Sequence, residues 1–250
     1  MEIILPQWSM PLPGVGALST TRACGFSPAP YDDGQGGGGL NLGLHVGDAP
    51  DHVLRNRAQL GRHLPAEPVW LTQVHGTTVV DAAQAREGMQ ADASFTTRRG
   101  VVCAIMTADC LPVLLADSAG TVVGAAHAGW RGLAAGVLEN TVEHMRAAGG
   151  DALLAWLGPA IGPARFEVGD DVLQAFTARY ASAADAFVPI PERPGKYLAD
   201  IYRLATDILL RAGVVSVQGG KFCTVGEPRR FYSFRRDGAT GRMATLIWLR

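Results

Sequence analysis

Three apolar runs lie almost end to end near the middle of the chain: "VVCAIMT" (101–107), "LPVLLA" (111–116) and "TVVGAAH" (121–127). Each has the length of a strand and is rich in Val, Ile and Leu. None alternates cleanly between apolar and polar residues, so each must be covered on both faces. The linker "ADSAGT" is a short polar turn, which makes the second and third runs a hairpin. A hairpin buried on both faces requires further layers around it. "ALLAWLG" (152–158), "VVSVQG" (214–219) and "MATLIWL" (243–249) are strands of the same kind.

Helical stripes fill the intervals. Leu133, Val137, Leu138, Val142 and Met145 recur with a 3.6-residue period, which predicts a helix over 133–148 stopped by Gly149 and Gly150. Leu198, Ile201, Tyr202, Ala205, Ile208, Leu209 and Ala212 predict a second, ended by Gly213. "VGDDVLQAFTARYA" (168–181) predicts a third, with acids in the first turn where the helix dipole favours them. Strands come in groups with helices between them. The expected class is therefore α+β, with mixed β-sheet layers flanked by helices. The 48% apolar content supports a large core, and no composition shift marks a linker, so residues 1–250 are expected to form a single domain. "DDGQGGGG" (32–39) reads as a flexible surface loop; it lacks the residue order of a phosphate-binding loop.

Charge excludes several classes. The 22 basic and 23 acidic residues leave a formal net of −1, which argues against a nucleic-acid or membrane partner. "PRRFYSFRRDG" (228–238) mixes Arg with aromatics, but without an RNA-binding motif it reads as a solvated edge. The N-terminus lacks the basic region of a signal peptide, and no apolar run approaches a membrane span. Cys24, Cys103, Cys110 and Cys223 are scattered without a C-x-x-C pair, which favours reduced thiols and a cytoplasmic protein.

Three residues interrupt this apolar pattern. Cys110 follows "TAD" where one strand ends and the next begins; His127 closes the other arm of the hairpin; His75 lies between Val and Gly in "LTQVHGTTVV". Neighbouring strand ends can bring such side chains together. Three dispersed ligands, rather than the close pairs of a structural site, describe a catalytic zinc site with an open position. Two other readings stand beside it. Cys110 can be a thiolate nucleophile with His127 as its base, or simply a small buried side chain.

"TQVHG", "ADAS", "TADCLPVLL", "AAHAGWRG", "GPAIGPARFEVGDDV", "YLADIYRLA" and "FYSFRRDGATGRMATLIWL" together resemble the bacterial YfiH family, long labelled multicopper polyphenol oxidoreductase or laccase-domain proteins. The likeness runs from about Leu18 to the end of the chain. It implies a sandwich once grouped with cysteine-hydrolase-like toxin domains. It implies one zinc on His75, Cys110 and His127. It implies a purine nucleoside phosphorylase that acts on adenosine, inosine and methylthioadenosine and also deaminates adenosine. "DDGQGGGG" departs from the family by lying between "APY" and "LNLGLHVGD".

Purine nucleoside and phosphate are then the expected partners. Arg22, Arg57 and Arg131 are candidates to hold phosphate, because a guanidinium fork matches its oxygens. Asp109 is a candidate proton shuttle, and Asn41 a candidate contact to ribose hydroxyls. A second family role, editing a cell-wall precursor by removing misincorporated serine, would use the same zinc or Cys110 as nucleophile. Laccase chemistry fits poorly: six His with no H-x-H pair supply too little nitrogen for four coppers, which leaves incidental copper binding at most. The non-enzyme alternative is a structural or partner-binding protein.

Overall fold

The computed structural model describes residues 1–250. In chain order the elements are β1 (Ile3–Ile4), β2 (Val15–Thr20), α1 (Pro50–Gly61), β3 (Val79–Asp81), β4 (Ala93–Thr96), β5 (Val102–Thr107), β6 (Leu111–Asp117), β7 (Val123–Ala128), α2 (Trp130–Ala135), α3 (Val137–Ala147), β8 (Leu153–Leu157), β9 (Glu167–Gly169), α4 (Asp170–Thr177), β10 (Phe187–Pro189), β11 (Lys196–Ala199), α5 (Ile201–Arg211), β12 (Ser216–Gly219), α6 (Phe234–Asp237) and β13 (Met243–Leu249). No helix is long and apolar enough to cross a membrane.

A six-stranded sheet has the order β12-β8-β6-β7-β4-β3, and a four-stranded sheet the order β1-β2-β13-β5. A small third sheet, β10-β11-β9, shares no ladder with either, though its Val168, Phe187 and Ala199 join the core that covers one face of the six-stranded sheet. The two large sheets face each other. Leu114 and Ala116 of β6, Val123 and Ala125 of β7, and Cys103, Ile105 and Ile247 of the smaller sheet share one core cluster. The alternate residues Leu111, Val113 and Leu115 turn the other way and pack with Leu138, Val142, Ile208 and Leu209 of α3 and α5. On the outer face of the four-stranded sheet, Val102, Ala104 and Leu246 pack with Leu60 of α1. The mixed sheet layers flanked by helices are thus present, and the unbroken apolar runs follow from burial on both sides.

All six expected strands form, and β6 pairs antiparallel with β7 from Leu111↔Ala128 to Ala116↔Val123. The helices differ in their limits. The stripe over 133–148 is two helices, because Gly136 between them takes φ 108, outside the helical region. Leu198 belongs to β11, and the helix after it starts at Ile201, capped by Asp200, whose side chain accepts from Arg203 N–H. The helix expected over 168–181 spans only Asp170–Thr177 and is followed by a 3-10 turn, Ala181–Ala186. In the glycine-rich loop, Asp33 accepts from the Gln35 and Gly37 amides, so local hydrogen bonds shape it. Its last glycine is packed: a Cβ on Gly39 would lie 1.9 Å from the Tyr31 carbonyl.

Candidate metal and substrate site

His75, Cys110 and His127 come from three separate segments and meet at one point. Their candidate ligand atoms all lie within 4.8 Å of one another. Cys110 Sγ is 3.7 Å from His75 Nε2, and the two imidazoles stand edge to face with centroids 4.8 Å apart.

Backbone geometry explains how each side chain arrives. Cys110 follows the tight turn from β5 into β6, where Asp109 takes φ 91. Both Asp109 carboxylate oxygens are engaged, one by Thr224 Oγ1 at 2.5 Å and the other by the Arg235 amide at 2.7 Å, which ties that turn to α6. His127 is on β7, opposite Pro112. His75 also has a left-handed backbone, φ 61, held by two anchors. Gln73 pairs through both ends of its amide with the Met106 backbone at 2.8 Å. The buried Asp92 carboxylate accepts from the amides of Val74, His75 and Gly76.

The same carboxylate accepts from His127 Nδ1 at 2.8 Å. That bond leaves His127 Nε2 as the free ring nitrogen and turns it toward Cys110. A carboxylate behind a histidine is the usual support for a metal ligand. Burial disfavours a charge on each of the three groups. Hydrogen bonding to His127 and then His75 outweighs it at Cys110 and brings the thiol down to about 6. Asp92 and then Cys110 outweigh it at His127 and raise the imidazole to about 9. For Asp92 itself, His127 and the backbone amides offset burial and hold the carboxylate below its ordinary value.

The donor set fits a zinc ion. Tetrahedral bond lengths place a ligating N and S about 3.6 Å apart, close to the spacing of His75 and Cys110. Gly129 keeps the space open: a Cβ there would lie 2.9 Å from His75 Cδ2 and 3.1 Å from Cys110 Sγ.

The trio opens into a cleft of about 510 Å³, which His45, Gln73, Met106, Phe234 and Arg242 also line. The other candidate residues lie outside that lining. Arg22 donates to the Asp32 and Pro228 carbonyls and pairs with the Asp32 carboxylate at 3.2 Å. Arg57 donates to the Leu42 carbonyl and stacks 4.3 Å over the Trp70 ring. Arg131 is exposed over Trp130. Asn41 is buried: its side-chain oxygen accepts from the Gly43 and Arg242 amides, and its amide donates to Asp48. Sequence reasoning assigned no role to Gln73, Asp92, Gly129, Phe234 or Arg242. All five lie inside motifs that carry the family resemblance, and that was the available signal.

The family model described as "Multi-copper polyphenol oxidoreductase laccase" matches residues 16–250. A purine nucleoside phosphorylase of Pseudomonas aeruginosa is 54% identical over 246 residues, 98% of each chain. The purine nucleoside phosphorylase YfiH of Escherichia coli is 52% identical over 251 residues, 99% of each. A crystal structure of a Neisseria meningitidis protein superposes with a TM-score of 0.90 at 50% identity, covering 99% of this chain and 98% of that one.

Proposed function

The chain belongs to the YfiH family of multi-copper polyphenol oxidoreductase laccase-type proteins, and on that premise we propose that it is a zinc-dependent purine nucleoside phosphorylase acting on adenosine, inosine and methylthioadenosine, with adenosine deamination as a side activity. The observation that carries this reading is the His75–Cys110–His127 group opening into a cleft of about 510 Å³, a volume within the usual range for a small-molecule site. One thiolate and two imidazoles serve a single ion, a donor set unlike the many imidazoles a multicopper oxidase needs.

In phosphorolysis an oxygen of hydrogen phosphate forms a bond to the ribose anomeric carbon. The bond from that carbon to the purine nitrogen breaks, and its electron pair leaves with the base. The proton of hydrogen phosphate ends on the base, and the products are free purine and ribose 1-phosphate. His75, Cys110 and His127 would hold the metal, which when bound supplies a Lewis acid. Asp92 keeps His127 Nδ1 protonated and its ring oriented. Gln73 fixes the His75 segment against β5. Phe234, exposed at the rim, offers a flat apolar face to the purine.

A second reading has its own observation. Asp92, His127 and a thiol held near 6 are also the order of groups in a cysteine amidohydrolase, which would suit removal of serine from a cell-wall precursor. A panel of nucleosides incubated with and without phosphate separates the two. The expected products are free base and ribose 1-phosphate, formed only with phosphate. Base release that is unchanged when phosphate is left out would make the reaction hydrolysis and end the phosphorylase reading.

A further inference from the structure

Arg242 lies in the wall of the cleft, one residue before β13, and it is half-buried. Its Nη1 donates to the Thr240 and Gly241 carbonyls at 3.1 and 3.0 Å. Its Nε and Nη2 have no partner in the protein, and no carboxylate pairs with it. Arg22, Arg57, Arg179 and Arg193 each have one. Burial disfavours the charge of Arg242, and Cys110, Asp109 and Tyr31 offset this only in part and at a distance, none of the three forming a hydrogen bond or ion pair with its side chain.

The position is built. Asn41 Oδ1 accepts from the Arg242 amide at 2.9 Å, and Asp48 and Gly43 hold Asn41 in turn. Gly43 lies beneath two basic side chains: a Cβ on it would be 2.9 Å from Arg242 Cγ and 3.4 Å from His45 Cε1. His45 lines the same cleft. Burial, then the charges of Arg242 and Arg57, hold its imidazole below the ordinary value, so the ring is neutral and offers one N–H.

We infer that the free Nε and Nη2 of Arg242, with His45 beside them, form the subsite for the inorganic phosphate co-substrate, in the same cleft as His75, Cys110 and His127. The inference rests on the phosphorylase reading, in which one substrate is a small dianion. Two parallel N–H groups on a rigid fork match two phosphate oxygens. The anion then supplies the direct partner that Nε and Nη2 lack, and the cleft brings it to the same space as the nucleoside.

Initial rates test this, measured against phosphate at saturating inosine and against inosine at saturating phosphate, with melting temperature and zinc content for each protein. Arg242→Gln should raise the KM for phosphate roughly 10- to 100-fold, the worth of one to two charge-assisted hydrogen bonds, and leave the KM for inosine within about twofold. Arg242→Lys, which keeps a point charge but not the fork, should fall between. Gly43→Ala covers the case in which the glutamine variant does not fold. Its backbone, φ −93, accepts alanine, and the new methyl must displace Arg242, so it should raise the phosphate KM selectively. A folded variant of either kind with wild-type phosphate KM, or with equal rises in both KM values, overturns the inference while leaving the phosphorylase reading intact. Wild-type base release that ignores phosphate overturns the reading instead.

Discussion

Cys103 and Cys110 stand on neighbouring stretches of chain, and their thiols are opposites. Cys103 lies between the two large sheets, and burial pushes its thiol up to about 12. Cys110 is opposed by burial too, but His127 and His75 bring it to about 6, so its thiolate forms as pH rises through that value. In metal-free protein, iodoacetamide adducts on Cys110, read by mass spectrometry, should therefore rise to half their maximum near pH 6, with Cys103 unmodified throughout. Reaction of Cys110 that begins only in the ordinary thiol range would contradict the hydrogen-bonded geometry. Asp92 carries a second expectation. One carboxylate receives three backbone amides and an imidazole, and an asparagine amide cannot accept on both sides. Asp92→Asn should lower the affinity of the His75–Cys110–His127 group for a metal about 10- to 100-fold, measured by competition between the protein and a chelator for added zinc, because it frees both the His75 segment and the His127 ring. Unchanged affinity would reduce Asp92 to a packing role. His75, Cys110 and His127 were legible in the sequence because each interrupts an apolar run. Asp92 and Arg242 were not, because nothing beside a carboxylate or a guanidinium in the chain records which distant groups it faces.

Among the elements, the break between α2 and α3 has the most bearing on the site. Gly136 at φ 108 lets α2 turn away from the axis of α3 and brings its residues against the His75 segment, where a Cβ on Gly132 would be 2.8 Å from the Gly76 carbonyl. Gly136→Ala would force a side chain into that backbone and set its Cβ 3.0 Å from Arg179 Nη1. It should destabilise the protein by about 1–3 kcal/mol, read as a lower urea midpoint. An unchanged midpoint would mean that the junction relaxes freely. The sequence showed one helix there because the apolar stripe keeps its phase across the glycine. It showed no helix at α1, for a related reason. The inward residues of α1 are Val53, Asn56, Arg57 and Leu60, and the two polar ones bind loop carbonyls instead of core. A helix that supports loops through Asn and Arg leaves no apolar period to read.

On the scale of the whole molecule, layering was legible and strand order was not. Runs apolar on both sides require cover on both sides, but no local pattern announces that β13 lies between β2 and β5, with Val15 opposite Leu249. That pairing also sets how the molecule bears load. The Arg250 amide donates to the Gly14 carbonyl, so these two residues leave the sheet side by side from the same end of an antiparallel pair. Tension applied between residues 14 and 250 opens the ladder like a zipper, one hydrogen bond at a time. Tension between residues 21 and 250 pulls along the strands and strains the whole ladder together. In single-molecule pulling the first attachment should therefore yield at the lower force, and the reverse order would contradict the register of β2 on β13. The ladder that joins the two ends of the chain is thus weak to peeling from its 14/250 end and strong to shear along its length.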